Sequence, residues 1–163
     1  MPFCAGVDGI LAAYQNSLNA VQLYGPTNFS PVINHVANFA NAHALAPSNY
    51  FVLLIITDGI ITDFNETKQA LINASALPMS VIIVGVGEED FSAMEVLDGD
   101  KGALQHKGQA AERDIVQFVE MRKFVDGSGR WNKELLAGAV LAEVPGQVTR
   151  WMKQRGFQPN TRG

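Results

Sequence analysis

A single cysteine, Cys4, stands among 163 residues, so no disulfide can close within the chain and no cysteine-based zinc site can be assembled. A reducing, cytosolic setting fits that usage best. Charge is also sparse: 12 Lys and Arg against 16 Asp and Glu leave a formal −4, with a pI near 5.3. Nucleic-acid binding draws on clustered cations that displace counterions, and the basic tail from Arg150 to Arg162 is too thin to supply them. No apolar stretch approaches the roughly 20 residues that span a bilayer. The first residues, Met1-Pro2-Phe3-Cys4-Ala5-Gly6, lack a basic region followed by a long apolar core, so no secretory leader is read there. The expectation is a soluble polypeptide that reaches a membrane only when something else carries it.

Catalytic patterns are missing as well. No serine lies in a Gly-x-Ser-x-Gly elbow, and Cys4 sits in a start expected to fray, so no nucleophile stands out. His35, His43 and His106 are scattered with no Glu or Cys at ligand spacing, and His35 is expected to pack among core positions of its helix. The run Gly85-Val86-Gly87-Glu88-Glu89-Asp90 lacks the third glycine of a dinucleotide fingerprint and puts acids where pyrophosphate would sit. Those acids read instead as favourable charges at the start of a short helix. Asp98, Asp100 and Gly102 lack the later ligands of a calcium loop and read as a solvated turn. Nothing here assembles an enzyme.

Hydrophobic material is plentiful at 47% of residues, enough for one α/β domain, or part of one, with a real core. Three runs read as strands: Tyr50 to Thr57, Met79 to Val86 and Ile115 to Val119. The first two are continuous and apolar, as in strands covered on both faces of a parallel sheet. Gly85 and Gly87 are expected to let the second turn tightly. Helices are expected over Gly6 to Ala20, with Val7, Ile10, Leu11, Tyr14 and Leu18 lying on the sheet, and from Ser30 to about Ala46-Pro47. Ser30 reads as the N-cap of that second helix, Pro31 as its first turn, and Val32, Ile33, Val36 and Phe39 as its buried stripe. Further helices are expected over Glu66 to Ala76, on a face of Ala70, Leu71 and Ala74, and over Phe91 to Leu97. A closing helix, Asn132 to Gln154, should be kinked or interrupted by Pro145. Strands alternating with helices indicate a doubly wound parallel sheet.

The chemistry gathers at one place. In such sheets ligands bind beyond the carboxyl ends of the strands, and the first apolar run delivers Asp58-Gly59 to that end. The loop Leu23-Tyr24-Gly25-Pro26-Thr27-Asn28-Phe29 can bring the Thr27 hydroxyl towards Asp58. Carboxylate and hydroxyl oxygens are hard donors suited to Mg²⁺, so this pair is half of a cation site. Each also has a plainer reading: Asp58 as the cap of a turn before Gly59, Thr27 as a holder of its own loop. Asp63 reads as a solvated loop residue.

The blocks Leu23 to Phe29, Leu53-Leu54-Ile55-Ile56-Thr57-Asp58-Gly59, Leu77 to Gly87, Glu112-Arg113-Asp114-Ile115-Val116-Gln117-Phe118-Val119 and Val140-Leu141-Ala142-Glu143-Val144-Pro145, taken in order, resemble the C-terminal von Willebrand factor A (VWA) type domain of the copines over essentially the whole chain, 1–163. The resemblance implies a truncated VWA or Rossmann-like α/β sheet. It also implies a metal-ion-dependent adhesion site, in which an Asp-x-Ser-x-Ser loop, a Thr and an Asp hold a divalent cation, Mg²⁺ or Mn²⁺. Thr27 and Asp58 match the second and third elements, and no Asp-x-Ser-x-Ser occurs in these residues. In the family's strand order the first strand would lie beside Tyr50 to Thr57, which here becomes an edge open to self-association. Copines carry two C2 domains ahead of this one, which bind Ca²⁺ and phospholipid and bring the protein from the cytoplasm to the plasma membrane. Membrane contact is therefore expected only indirectly. The implied function is a protein-interaction module with protein partners. The alternative is a metal-assisted phosphotransfer or hydrolytic enzyme using Asp58.

Overall fold

The computed structural model describes residues 3–22, 24–45, 48–99 and 102–158. Expectations that fall on Leu23, Ala46, Pro47, Asp100 and Arg162 lie outside them. Helix α1 (Gly6–Ala20) is followed by α2 (Ser30–Ala42), strand β1 (Phe51–Thr57), α3 (Phe64–Ala74), β2 (Met79–Gly85) and α4 (Ser92–Asp98). Then come a hairpin of β3 (Gln105–His106) and β4 (Gln109–Ala110), strand β5 (Val116–Glu120), a 3-10 turn over Met121–Phe124, and helices α5 (Lys133–Leu141) and α6 (Val144–Gln154).

The three long runs form one parallel sheet in the order β1-β2-β5, with Phe51 opposite Met79 and Val81 opposite Val116. That is the expected α/β architecture: three main parallel strands flanked by helices, as in a truncated VWA-like sheet. The main core lies on one face, where Val81 and Ile83 of β2 meet Leu71, Met94, Leu97 and Val116, with Phe51, Leu53 and Ile55 packed alongside. On the opposite face α6 lies over β2. There the Ser80 hydroxyl donates to the Gln147 carbonyl oxygen at 2.5 Å, and the buried Trp151 indole N–H donates to the Ala76 carbonyl at 3.1 Å. The result is a central strand, β2, with every residue buried.

β1 departs from the expected double burial. Val52, Leu54 and Ile56 are 49%, 53% and 65% exposed, while Phe51, Leu53 and Ile55 face the core. It is the edge strand of the sheet, and among the described residues no helix covers its second face as α6 covers that of β2. The stripe of α1 likewise does not lie on the sheet: none of its residues is buried, and Val7, Ile10, Leu11, Tyr14 and Leu18 are all exposed. Periodicity formed the helix, but no surface of the described residues closes over it.

Smaller corrections share one cause, namely which face a neighbour covers. α2 packs on α3 and β1 through Ile33 and Ala40, with Val36 and Ala37 beside them, while Val32 and Phe39 are exposed. His35 is exposed too and meets Phe39 edge-on at 5.1 Å. α3 buries Ala70, Leu71 and Ala74 as expected. The closing helix is interrupted: α5 is capped by Asn132, whose side chain accepts the Leu135 N–H at 3.0 Å, and Pro145 lies in the first turn of α6. Gly85 serves close approach rather than a turn, since a Cβ there would lie 2.8 Å from the Phe91 ring. Gly87 does make the turn, at φ 91°.

Candidate functional site

β1 ends at the buried Thr57, and its carbonyl accepts the Val86 N–H at 2.8 Å, so β1 and β2 finish level. Asp58 and Gly59 follow at the carboxyl rim, with the Gly59 N–H on the Thr57 hydroxyl at 3.4 Å. Two further loops meet there. The Thr62 N–H donates to the Thr27 carbonyl at 2.9 Å, and the Thr62 hydroxyl lies 2.9 Å from both that carbonyl and the Asn28 side-chain oxygen. On the other side Glu89 packs so close that a Cβ on Gly59 would sit 3.2 Å from its Cγ. The loops carrying Thr27 and Asp58 therefore share one rim, although their residues are some thirty positions apart.

Asp63 holds this arrangement. Its carboxylate accepts the N–H groups of Phe29 at 3.0 Å and Ser30 at 2.8 Å, and the Thr67 hydroxyl at 3.0 Å. Asp63, rather than Ser30, caps the start of α2, from 33 residues away. It is a structural carboxylate and not the solvated loop residue expected. Burial acts to raise its pKa, but hydrogen bonds from Ser30, Phe29 and Thr67 outweigh that and hold it below the usual 3.8.

Asp58 and Thr27 are both exposed, and the Asp58 carboxylate has no hydrogen-bond or ion-pair partner among the described residues. A carboxylate held at a strand end yet unspent is free to bind something. Nearby, Glu120 at the end of β5 is buried and paired with Lys123 at 2.6 Å and Arg122 at 2.8 Å. The Lys123 hydrogen bond, opposed by burial and aided by Arg122, keeps its pKa below the ordinary range. Arg122 also reaches Glu88 at 3.6 Å and lies over the Phe91 ring. Glu88 is thus engaged with a cation, whereas Asp90 accepts the Ser92 N–H at 2.9 Å at the start of α4, as expected.

A cation at this rim would find hard oxygens of the right kind in Asp58 and Thr27 but too few of them. Among the described residues no three His, Cys, Asp or Glu side chains converge as a metal cluster. The donor chemistry fits Mg²⁺ or Mn²⁺, with most of the shell left to water and to other molecules.

Two polar residues were missed. Asp98, expected in a solvated turn, is 8% exposed, and its carboxylate accepts the Phe118 N–H at 2.7 Å. Arg113 is buried at the opposite end of the sheet, donating to the carbonyls of Leu77 at 2.5 Å and Met79 at 2.7 Å. Its desolvation lowers its pKa, partly offset by Tyr50. Both tie strands to their neighbours, and neither borders the Asp58 rim.

The sequence profile of the copine family, described simply as copine, matches residues 1–160. Nicotinic receptor-associated protein 1 of Caenorhabditis briggsae is 51% identical over 164 residues, covering 97% of this chain and 26% of that protein. Its Caenorhabditis elegans counterpart is 51% identical over 160 residues, covering 94% and 25%. The chain spans about a quarter of the length of these curated relatives.

Proposed function

Because this chain belongs to the copine family, we propose that it is a protein-interaction module whose partners dock at the carboxyl rim of the β1-β2-β5 sheet. The observation that carries this reading is the stapling of the Thr27 and Asp58 loops to one another by Thr62 and Asp63, which leaves the Asp58 carboxylate exposed and unspent. The Asp58 carboxylate and the Thr27 hydroxyl would hold a divalent cation, Mg²⁺ or Mn²⁺. The cation would supply open coordination positions for an acidic side chain of the partner. Asp63 positions the two loops and takes no part in binding.

The names of the relatives support a receptor as the class of partner. Calcium-dependent attachment to phospholipid at the plasma membrane, with the protein cytoplasmic at rest, would fall to C2 domains of a longer polypeptide. A phosphotransfer or hydrolytic role for Asp58 would need a general base and a phosphate cradle, and neither is found among the described residues of the rim.

Calorimetric titration of Mg²⁺ and Mn²⁺ into the protein, Asp58→Ala and Thr27→Ala tests the cation reading. Heat is expected for the unaltered chain, a reduced signal for Thr27→Ala and none for Asp58→Ala. Equal heats in all three end that reading.

A further inference from the structure

We infer that the groove between α2, α3 and the β3–β4 hairpin binds an extended segment of a partner protein by its backbone, with an acidic residue of that segment on Lys107. The groove is about 340 Å³ in volume, and its walls are polar almost throughout: Asn34 from α2, Asn65, Gln69 and Asn73 from α3, His106 and Lys107 from the hairpin. α2 and α3 form the layer that covers the main core, and the groove lies on the outer side of that layer. Ser30, whose N–H Asp63 holds, also borders it, so the groove opens at the carboxyl rim of the sheet.

The spacing of the carboxamides points to a strand as the occupant. Asn65, Gln69 and Asn73 recur every four residues along α3, which places them about 6 Å apart at a rise of about 1.5 Å per residue. In an extended chain, groups that point the same way recur every two residues, or ~6.4–6.8 Å. Three carboxamides over ~12 Å of helix therefore keep pace with about four residues of strand. Each carboxamide offers both a donor and an acceptor, which is what the N–H and C=O of a peptide group require. Gln69 donates to the Asn73 side-chain oxygen at 3.0 Å and to that of Gln109 at 2.7 Å, bonds that hold the hairpin against α3 and set the groove's shape in advance. The Gln69 oxygen and the Asn73 N–H groups remain unused, and the Asn34 and Asn65 side chains form no hydrogen bond among the described residues.

Charge and strain choose the end group. The hairpin turns on Lys107 and Gly108, at φ 48° and 79°. Asparagine, aspartate or glycine takes the first of these places more readily, so the lysine stands there against local preference, the kind of departure that collects at functional positions. Its ammonium has no ion pair among the described residues, although Glu66 borders the same groove. A carboxylate of the occupant supplies the missing charge. Carboxamides would also suit a sugar, but no Phe, Tyr or Trp ring lines the groove for it to stack on, and its hydroxyls give Lys107 no counter-charge.

The probe is an end-capped peptide of about six residues, alternating threonine and valine, with one aspartate placed first or last, titrated into the isotope-labelled protein. The side-chain amide resonances of Asn34, Asn65, Gln69 and Asn73 are expected to shift with one of the two peptides. N-methylation of one alternate set of its peptide groups should weaken binding at least ~10-fold, because it removes two or three hydrogen bonds and keeps every side chain. Asn65→Ala with Asn73→Ala, both exposed sites on a helix, should weaken it by about the same factor. Lys107→Asn, which suits the turn, should abolish the preference for aspartate over asparagine in the peptide. Asp58→Ala and added chelator should change nothing, which separates this groove from the cation reading. Unshifted carboxamide resonances would overturn the inference, as would equal affinity for plain and N-methylated peptides, an aspartate preference that survives Lys107→Asn, or shifts produced by maltotriose and not by the peptide.

Discussion

Met79–Gly85 and Phe51–Thr57 are two seven-residue strands of almost the same apolar character, lying side by side in register, yet the first is buried throughout and the second is half-buried on alternate residues and exposed on those between, up to the buried Thr57. Composition fits a strand for a position, whereas its neighbours decide whether it occupies one. β2 has a strand on either side, the main core on one face and α6 on the other. β1 has a strand on one side and a helix layer on one face.

The sharpest way to break this contrast is to truncate matched side chains. Ile83→Ala, at a fully buried site in β2, should cost ~2–5 kcal/mol, whereas Ile56→Ala in β1 should cost under ~1 kcal/mol if β1 stays uncovered. Urea denaturation reads both, and equal losses would mean that β1 is covered in solution. Trp151→Ala removes what closes the second face of β2 and should cost ~3–5 kcal/mol, leaving that face as open as its neighbour's.

A smaller effect is expected at Asp63. Asp63→Ala frees the first N–H groups of α2 and should lower stability by ~1 kcal/mol near neutral pH. The Asp63 carboxyl has a folded pKa below 3.8, so its contribution is present above that value and fades as pH falls through the lower folded pKa. The gap between the two proteins should therefore close in acid, and a gap that stays constant from pH 7 to pH 2 would remove the charge from the explanation. Asp58→Ala should be the mildest, within ~0.5 kcal/mol, because its carboxylate bonds to nothing among the described residues.

Much of this was legible in the residues. The three apolar runs became the three strands, the 70, 71 and 74 spacing gave the face of α3, and Pro145 broke the closing helix. What stayed hidden depended on contacts between distant parts of the chain. The cap of α2 comes from Asp63, 33 residues onward, and Asp98 meets Phe118 across 20. A short polar residue in a loop looks the same whether water or a distant amide satisfies it. The α1 stripe misled in the opposite way, since 3.6-residue spacing marks a face able to be covered and carries no information on what covers it. At the rim, the sequence pointed to Thr27 and Asp58, but Thr62 and Asp63, which bring their loops together, carried no pattern.

The two tryptophans occupy opposite circumstances: Trp131 is 47% exposed, and Trp151 is sealed on the buried face of α6 with its indole N–H on the Ala76 carbonyl and its ring against Tyr50 and Phe157. The chain thus carries its own optical probe of one helix. Detachment of α6 would shift Trp151 emission to longer wavelength over the nearly constant background of Trp131, reporting the peeling of one layer before the sheet itself melts.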